Sequence, residues 1–184
     1  MDVCIKPAPL SGSIAAIPSK SAAHRALICA ALADRETVIF CPSLSKDIEA
    51  TASCLSSLGA GIEYKEGCFH VRPIEKIREN ALLNCGESGS TLRFFIPIAL
   101  LSENAAVMTG SQRLMSRPLE PYEQICVFQG LDYVLEDTSL ALKGPLESGH
   151  FRLRGDISSQ FISGLMFALP LTDGYSVIEL IPPV

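Results

Sequence analysis

Apolar residues follow two rhythms along this chain, and the two alternate. From about Ser21 to Ala33 nearly every position is apolar or small, with Ala26, Leu27, Ile28, Cys29, Ala30, Ala31 and Leu32 in unbroken succession. The same character returns in Phe94 to Leu100, within a helix expected over about Ser90 to Leu101. It returns again in Phe161 to Ala168, within a helix expected from Ser159 to Leu169. Helices that are apolar all round are buried. Between them stand two-faced helices, which lie nearer solvent. One spans about Lys46 to Leu58, with Ile48, Ala52, Leu55 and Leu58 at helical spacing. The other spans about Leu119 to Phe128. Gly59-Ala60-Gly61 closes the first of these in the manner of a C-terminal glycine.

Short runs with strand character fill the gaps. Thr37 to Phe40 reads as a strand, and Ile62 to Tyr64 with Cys68 to Val71 reads as a hairpin turning at Glu66-Gly67. The order then recurs. A strand at Ala105 to Met108 precedes the second two-faced helix, and a hairpin joins Tyr133 to Leu135 with Leu140 to Leu142. A third round starts at Phe151-Arg152-Leu153 and passes through its helix to a strand over Ser176 to Ile181. The pattern predicts an α/β (α+β) fold of repeated βαβαββ units, turned inside out, with helices within and sheets outside. The units cover about 14–72, 82–143 and 150–184, and the third is incomplete. Pro97 removes a bond to the Arg93 carbonyl and is expected to kink its helix.

Each buried helix starts with hydroxyls. Ser21, Ser90 and Ser159 stand at a constant interval of 69 residues. Helix starts carry unpaired N–H groups and partial positive charge, and so attract anions. Arg25 lies four residues after Ser21, on the same helical face, and Lys20 adds a charge at the helix mouth. Ser19 or Ser21 can cap free N–H groups. Gly89 permits close backbone approach beside Ser90, with Arg93 three residues on. Arg113 and Arg117 occupy a loop before Pro118, which suits a first helical position. Ser158, Ser159 and Gln160 offer neutral donors and acceptors. Two or three charged hydrogen bonds of about 1.5–3 kcal/mol each suffice for micromolar binding of a phosphate or carboxylate. Three such starts on one scaffold point to a multiply charged small molecule.

Composition narrows the class. The chain has 184 residues, 48% of them hydrophobic, and a mean hydropathy of +0.30. No apolar run reaches ~18 residues, which argues against a membrane span, and Met1 to Pro7 has no signal-peptide pattern. A net charge of −5 argues against a general nucleic-acid surface, while leaving room for a local basic pocket. Seven cysteines without a Cys-x-x-Cys pair, and three dispersed histidines, read as buried free thiols in a reducing cytoplasm rather than as a zinc site.

Four segments carry a resemblance. Pro18-Ser19-Lys20-Ser21 through Arg25-Ala26-Leu27, Cys85 through Arg93, Arg113 through Pro118 and Ser158-Ser159-Gln160-Phe161 occur in the order of the EPSP synthase (3-phosphoshikimate 1-carboxyvinyltransferase) family, which the whole chain resembles. The resemblance implies two domains, each of three βαβαββ units with helices inside. It also implies a cytoplasmic enzyme without metal or organic cofactor that joins phosphoenolpyruvate to shikimate 3-phosphate. By the same resemblance Lys20 contacts both substrates, and Ser21 and Arg25 hold shikimate 3-phosphate. Gly89 and Arg117 line the phosphoenolpyruvate site, Ser158 and Ser159 take the shikimate phosphate, and Gln160 lies between the ligands. Ser90, Arg93 and Arg113 are further candidates.

The chain departs from the family pattern in places. Glu87 stands where many members have Asn, and its negative charge near an anion site must point away or meet a cation. Phe94 follows Arg93 where Pro is usual. The chain is less than half a typical member, and the family's acid and base carboxylates fall beyond Val184, as does the second domain. No catalytic residue is therefore assigned, and Asp47, Asp156 and Asp173 are read as capping or pairing groups. The sister transferase acting on UDP-N-acetylglucosamine fits the Ser21/Arg25 and Ser158/Ser159 pairs less well. RNA 3′-phosphate processing would need a basic groove with stacking aromatics, against the acidic balance and absence of Trp. A non-catalytic anion-binding domain is the remaining alternative.

Overall fold

The computed structural model of the protein describes residues 3–4, 6–9, 11–14, 17 and 19–182; Pro18 and Val184, named above, lie outside the described residues. Among the described residues six α-helices are formed: α1 (Lys20–Ala31), α2 (Lys46–Leu58), α3 (Gly89–Ala99), the single-turn α4 (Gln112–Met115), α5 (Glu120–Gln129) and α6 (Ser159–Ala168). Serines start most of them. The hydroxyls of Ser19, Ser45, Ser88, Ser111 and Ser158 each accept an N–H from the first turn that follows. At the other end of α2, Gly59 takes a φ of 123°, and a side chain there would also meet the Lys76 carbonyl.

Among the described residues nine strands make three sheets. β1 (Thr37–Phe40), β2 (Gly61–Lys65) and β3 (Cys68–Arg72) are antiparallel in the order β1–β3–β2. Glu66 and Gly67, both at positive φ, form the two-residue turn that the hairpin's right-handed twist favours. β4 (Ala81–Asn84), β5 (Ala105–Thr109), β6 (Asp132–Leu135) and β7 (Ser139–Lys143) form the second sheet in the order β4–β5–β7–β6. β8 (His150–Arg154) and β9 (Val177–Ile181) form the third. β4 pairs with β5 and β8 with β9 in parallel, with α3 and α6 as the respective crossovers. β4 has no counterpart in the sequence pattern.

Several strands turn one side inward. Ala81 and Leu83 are buried while Leu82 is exposed, and Val38 and Phe40 face outward at 62% and 75% exposure. The helices lie on the inner side, as the sequence predicts, and α3 is buried most completely. Pro97 sits inside α3, which remains one helix to Ala99. The freed Arg93 carbonyl faces Gly164 of α6, where an added Cβ would lie 2.8 Å from that oxygen and 3.2 Å from Pro97 Cγ. A glycine thus lets α6 close on the proline notch.

Two expectations need correction. Cys29 is exposed despite its apolar neighbours, as is Cys4, whereas Cys41, Cys54, Cys85 and Cys126 are buried free thiols and Cys68 is half-buried. Two of the three helices expected to be buried all round, α1 and α6, are one-sided instead, since Ser21, Ala22 and Cys29 of α1 and Met166 of α6 meet solvent. Among the described residues no helix is long and apolar enough to cross a membrane.

Candidate anion-binding site

The starts of α1, α3 and α6 are joined by side chains that cross between helices. On α1, Arg25 Nη1 donates to Ser21 Oγ at 2.5 Å and to the Ser21 carbonyl at 3.1 Å. Its Nη2 reaches Ser163 Oγ of α6 at 3.3 Å, and its guanidinium lies 5.2 Å from the centre of the Phe94 ring on α3. One arginine therefore touches all three helices.

A second arginine braces α3 against α6. Arg93 Nη1 donates to Gln160 Oε1 at 3.0 Å, and Nη2 to the Pro118 carbonyl at 3.4 Å. With its oxygen so held, the Gln160 carboxamide turns Nε2 toward Ser90 Oγ at 2.8 Å. The Ser90 oxygen is thereby an acceptor, which leaves its O–H free to donate outward. Ser21, accepting from Arg25, is left with the same freedom. Phe161 lies beneath Arg93, 5.2 Å from ring centre to guanidinium carbon.

Arg117 completes the cationic group. Its guanidinium lies so near Gly89 that a side chain there would strike it. Burial, and then the neighbouring charge of Arg117, depress the pKa of Arg93. Among the described residues Arg25, Arg93 and Arg117 pair with no carboxylate. Arg93 and Arg117 crowd each other beside a helix start rich in donors, with the Glu87 carboxylate near Arg117 but paired with Arg113, and an anion would complete that arrangement.

Other candidates are placed differently. Lys20 Nζ turns to Asp47 at 2.7 Å. Arg113 pairs with Glu87 at 2.8 Å, so the anomalous carboxylate is met by a cation outside the three-arginine group. Hydrogen bonds from Ser111 and then Arg113 hold the Glu87 carboxyl below its ordinary range. Asp156 pairs with Arg154 in the same way. Ser158 caps α6 and is half-buried, while Ser159 is exposed and makes no side-chain hydrogen bond among the described residues.

The constant 69-residue interval does not mark equivalent positions throughout. Ser19 rather than Ser21 caps α1, so Ser21 and Ser90 are second residues of their helices, whereas Ser159 is the first of α6. The equivalent of Ser21 and Ser90 is Gln160. Sequence reasoning also misses Ser163, whose i+3 spacing from Gln160 places both on one face of α6, and the two phenylalanines under the guanidinium groups. A cavity of about 640 Å³ between α5 and β8, lined by Ile125, Phe128, His150 and Phe151 among others, includes none of these residues.

The family model for EPSP synthase (3-phosphoshikimate 1-carboxyvinyltransferase) matches residues 5–183. A 3-phosphoshikimate 1-carboxyvinyltransferase from Clostridium beijerinckii is 45% identical over 184 residues, covering 95% of this chain. One from Clostridium acetobutylicum is 44% identical over 97% of the chain. The chain spans only 42% and 43% of the lengths of these two relatives. Among solved structures, EPSP synthase from Acinetobacter baumannii shares the fold with a TM-score of 0.76 at 22% identity, over 94% of this chain and 41% of that one.

Proposed function

We propose, from the premise that this chain belongs to the EPSP synthase family, that it supplies the substrate-cradling part of a cytoplasmic 3-phosphoshikimate 1-carboxyvinyltransferase. In this reading the enolpyruvyl group of phosphoenolpyruvate passes to the 5-hydroxyl of shikimate 3-phosphate. Three βαβαββ-type units, about 14–72, 82–143 and 150–184, carry the cradle. The observation that supports the reading most is the set of arginines without an ion-pair partner among the described residues, of which Arg25 and Arg93 bridge the starts of α1, α3 and α6 and Arg117 lies against Gly89.

Two polyanions must meet for this reaction, and their mutual repulsion is the first obstacle. Cationic side chains and oriented N–H groups offset it. Ser21 and Arg25 hold shikimate 3-phosphate, with Ser158 and Ser159 at its phosphate. Gly89 and Arg117 line the phosphoenolpyruvate site, and Gln160, fixed by Arg93, lies between the two. Lys20 leaves Asp47 to contact both substrates. A proton then adds to the methylene carbon (C3) of phosphoenolpyruvate while the 5-hydroxyl, giving up its own proton, adds to the neighbouring C2. The tetrahedral adduct expels phosphate as its methyl group loses a proton, which leaves the enolpyruvyl ether. No proton-transfer group is assigned within this chain, which spans 42% of the length of its relative, and in this reading the chain is inactive by itself.

The test is complementation. This chain is mixed with a separately produced remainder of a clostridial relative, and phosphate release is followed with both substrates present. Activity should appear only in the mixture and should fall by about a hundredfold or more with Lys20→Met, as befits a charge acting on the transition state. Turnover by this chain alone, or full activity with Lys20→Met, would contradict the proposal.

A further inference from the structure

A file of buried polar side chains runs behind the arginines, and the binding roles proposed above do not use it. His24 on α1, Thr51 on α2, and Ser88 and Thr91 at the start of α3 are the buried polar residues among the described residues. His24 Nδ1 lies 2.6 Å from Thr51 Oγ1, and Thr51 Oγ1 lies 2.8 Å from Thr91 Oγ1. Thr91 Oγ1 donates to Ser88 Oγ at 2.7 Å, and Ser88 Oγ also accepts the Thr91 N–H that starts α3. Three helices are thus linked by one line of hydrogen bonds.

The direction of that line can be worked out. Each hydroxyl has a single proton. Thr91 spends its proton on Ser88, so it accepts from Thr51. Thr51 has then spent its own and must accept from His24. The imidazole is therefore protonated on Nδ1, and Nε2, buried without a partner, carries a bare lone pair. A proton on Nε2 would create a cation facing Lys20 and Arg25 of α1, with only Asp47 of α2 in its favour. Burial first, and the two cations after Asp47's opposing effect, keep the ring neutral.

We propose that His24 is a positioning residue. Through Thr51 and Thr91 its Nδ1–H fixes the face of α1 that bears Ser21 and Arg25 against the start of α3 that bears Gly89 and Ser90. His24 and Arg25 are neighbours on α1, and Ser88 directly precedes Gly89. A rotation of either helix would stretch the line, in which every link is between 2.6 and 2.8 Å. Burial makes breaking it costly, because each freed group is left without water. The functional half of this inference rests on the binding roles proposed above, while the hydrogen-bond line does not.

The experiment uses the chain with ¹⁵N-labelled histidine and backbone, and compares Thr51→Val, which keeps the shape without the hydroxyl, with Thr51→Ser, which restores it. Without ligand, the wild-type His24 ring should give the Nδ1–H pattern. Thr51→Val should abolish that preference, move the Ser88, Gly89 and Ser90 amide resonances and speed exchange of the Thr91 amide, and Thr51→Ser should reverse these changes. Titration with shikimate 3-phosphate should then show about fivefold weaker binding for Thr51→Val, the scale of one neutral hydrogen bond, and near wild-type binding for Thr51→Ser. An Nε2–H ring in the wild type, unmoved Ser88 to Ser90 amides in Thr51→Val, or undiminished binding despite moved amides would overturn the proposal. A wild-type chain that ignores shikimate 3-phosphate would count against the binding roles instead, and the ligand-free spectra would still decide whether the line exists.

Discussion

The starts of α1 and α3 use the same chemistry in opposite settings. At α1 the cap Ser19, Lys20 and Ser21 are all exposed, and Lys20 is held by a single ion pair whose partners are 54% and 28% exposed. At α3 the cap Ser88 and Gly89 are buried. Ser90 and Arg93 are locked to Gln160, and Arg117 lies across the first turn. Exposed ion pairs are weak and easily exchanged, whereas the buried Ser88–Thr91 hydrogen bonds and the half-buried ones to Gln160 resist opening. One side of the cradle is built rigid and the other is left adjustable. A site that brings two anions together benefits from that division, because a fixed frame orients one ligand while a long lysine follows the other.

The rigid side can be broken most severely at Gly164. Gly164→Ala puts a methyl group within 2.8 Å of the Arg93 carbonyl and also against the Tyr122 hydroxyl, inside the α3–α6 contact. Overpacking of this kind costs about 1–3 kcal/mol, despite alanine's better helix propensity. Urea denaturation should report it as a lower midpoint with an unchanged slope. A midpoint equal to wild type would mean that the two helices are not closely packed.

Removing the two caps sharpens the contrast between the helix starts. Ser88→Ala loses a cap and also strands the buried Thr91 hydroxyl, so about 2 kcal/mol is expected. Ser19→Ala loses only an exposed cap accepting from Ala22 at 3.3 Å, and about 0.5–1 kcal/mol is expected. Equal losses, read from parallel denaturation curves, would remove the distinction between the two ends.

Much of this frame is legible in the sequence. The apolar spacing of Ile48, Leu55 and Leu58 marks α2 because all three are buried on one face. The Glu66-Gly67 turn signals its hairpin locally. Arg25 beside Ser21 follows from helical geometry alone. What escapes depends on partners distant in sequence. β4 is four residues long and is stabilised by parallel pairing with β5, which no local pattern announces. Lys20 and Asp47 meet because α1 packs on α2. The misplacement of Ser159 has another cause. A fixed interval counts residues, while a helix start is set by whichever hydroxyl caps it, and in α6 the cap falls at Ser158. The buried file from His24 to Ser88 is equally hidden, since each member alone reads as an ordinary polar residue of a helix or its cap.

The most direct test of a single site shared by three helix starts is an amide-resolved titration of the chain with shikimate 3-phosphate. Ser21, Ser90 and Gln160 should shift together along one saturation curve, weak because the chain spans less than half of its relatives' length. Separate affinities for the three amides, or shifts confined to Phe128, His150 and their neighbours between α5 and β8, would contradict a common site.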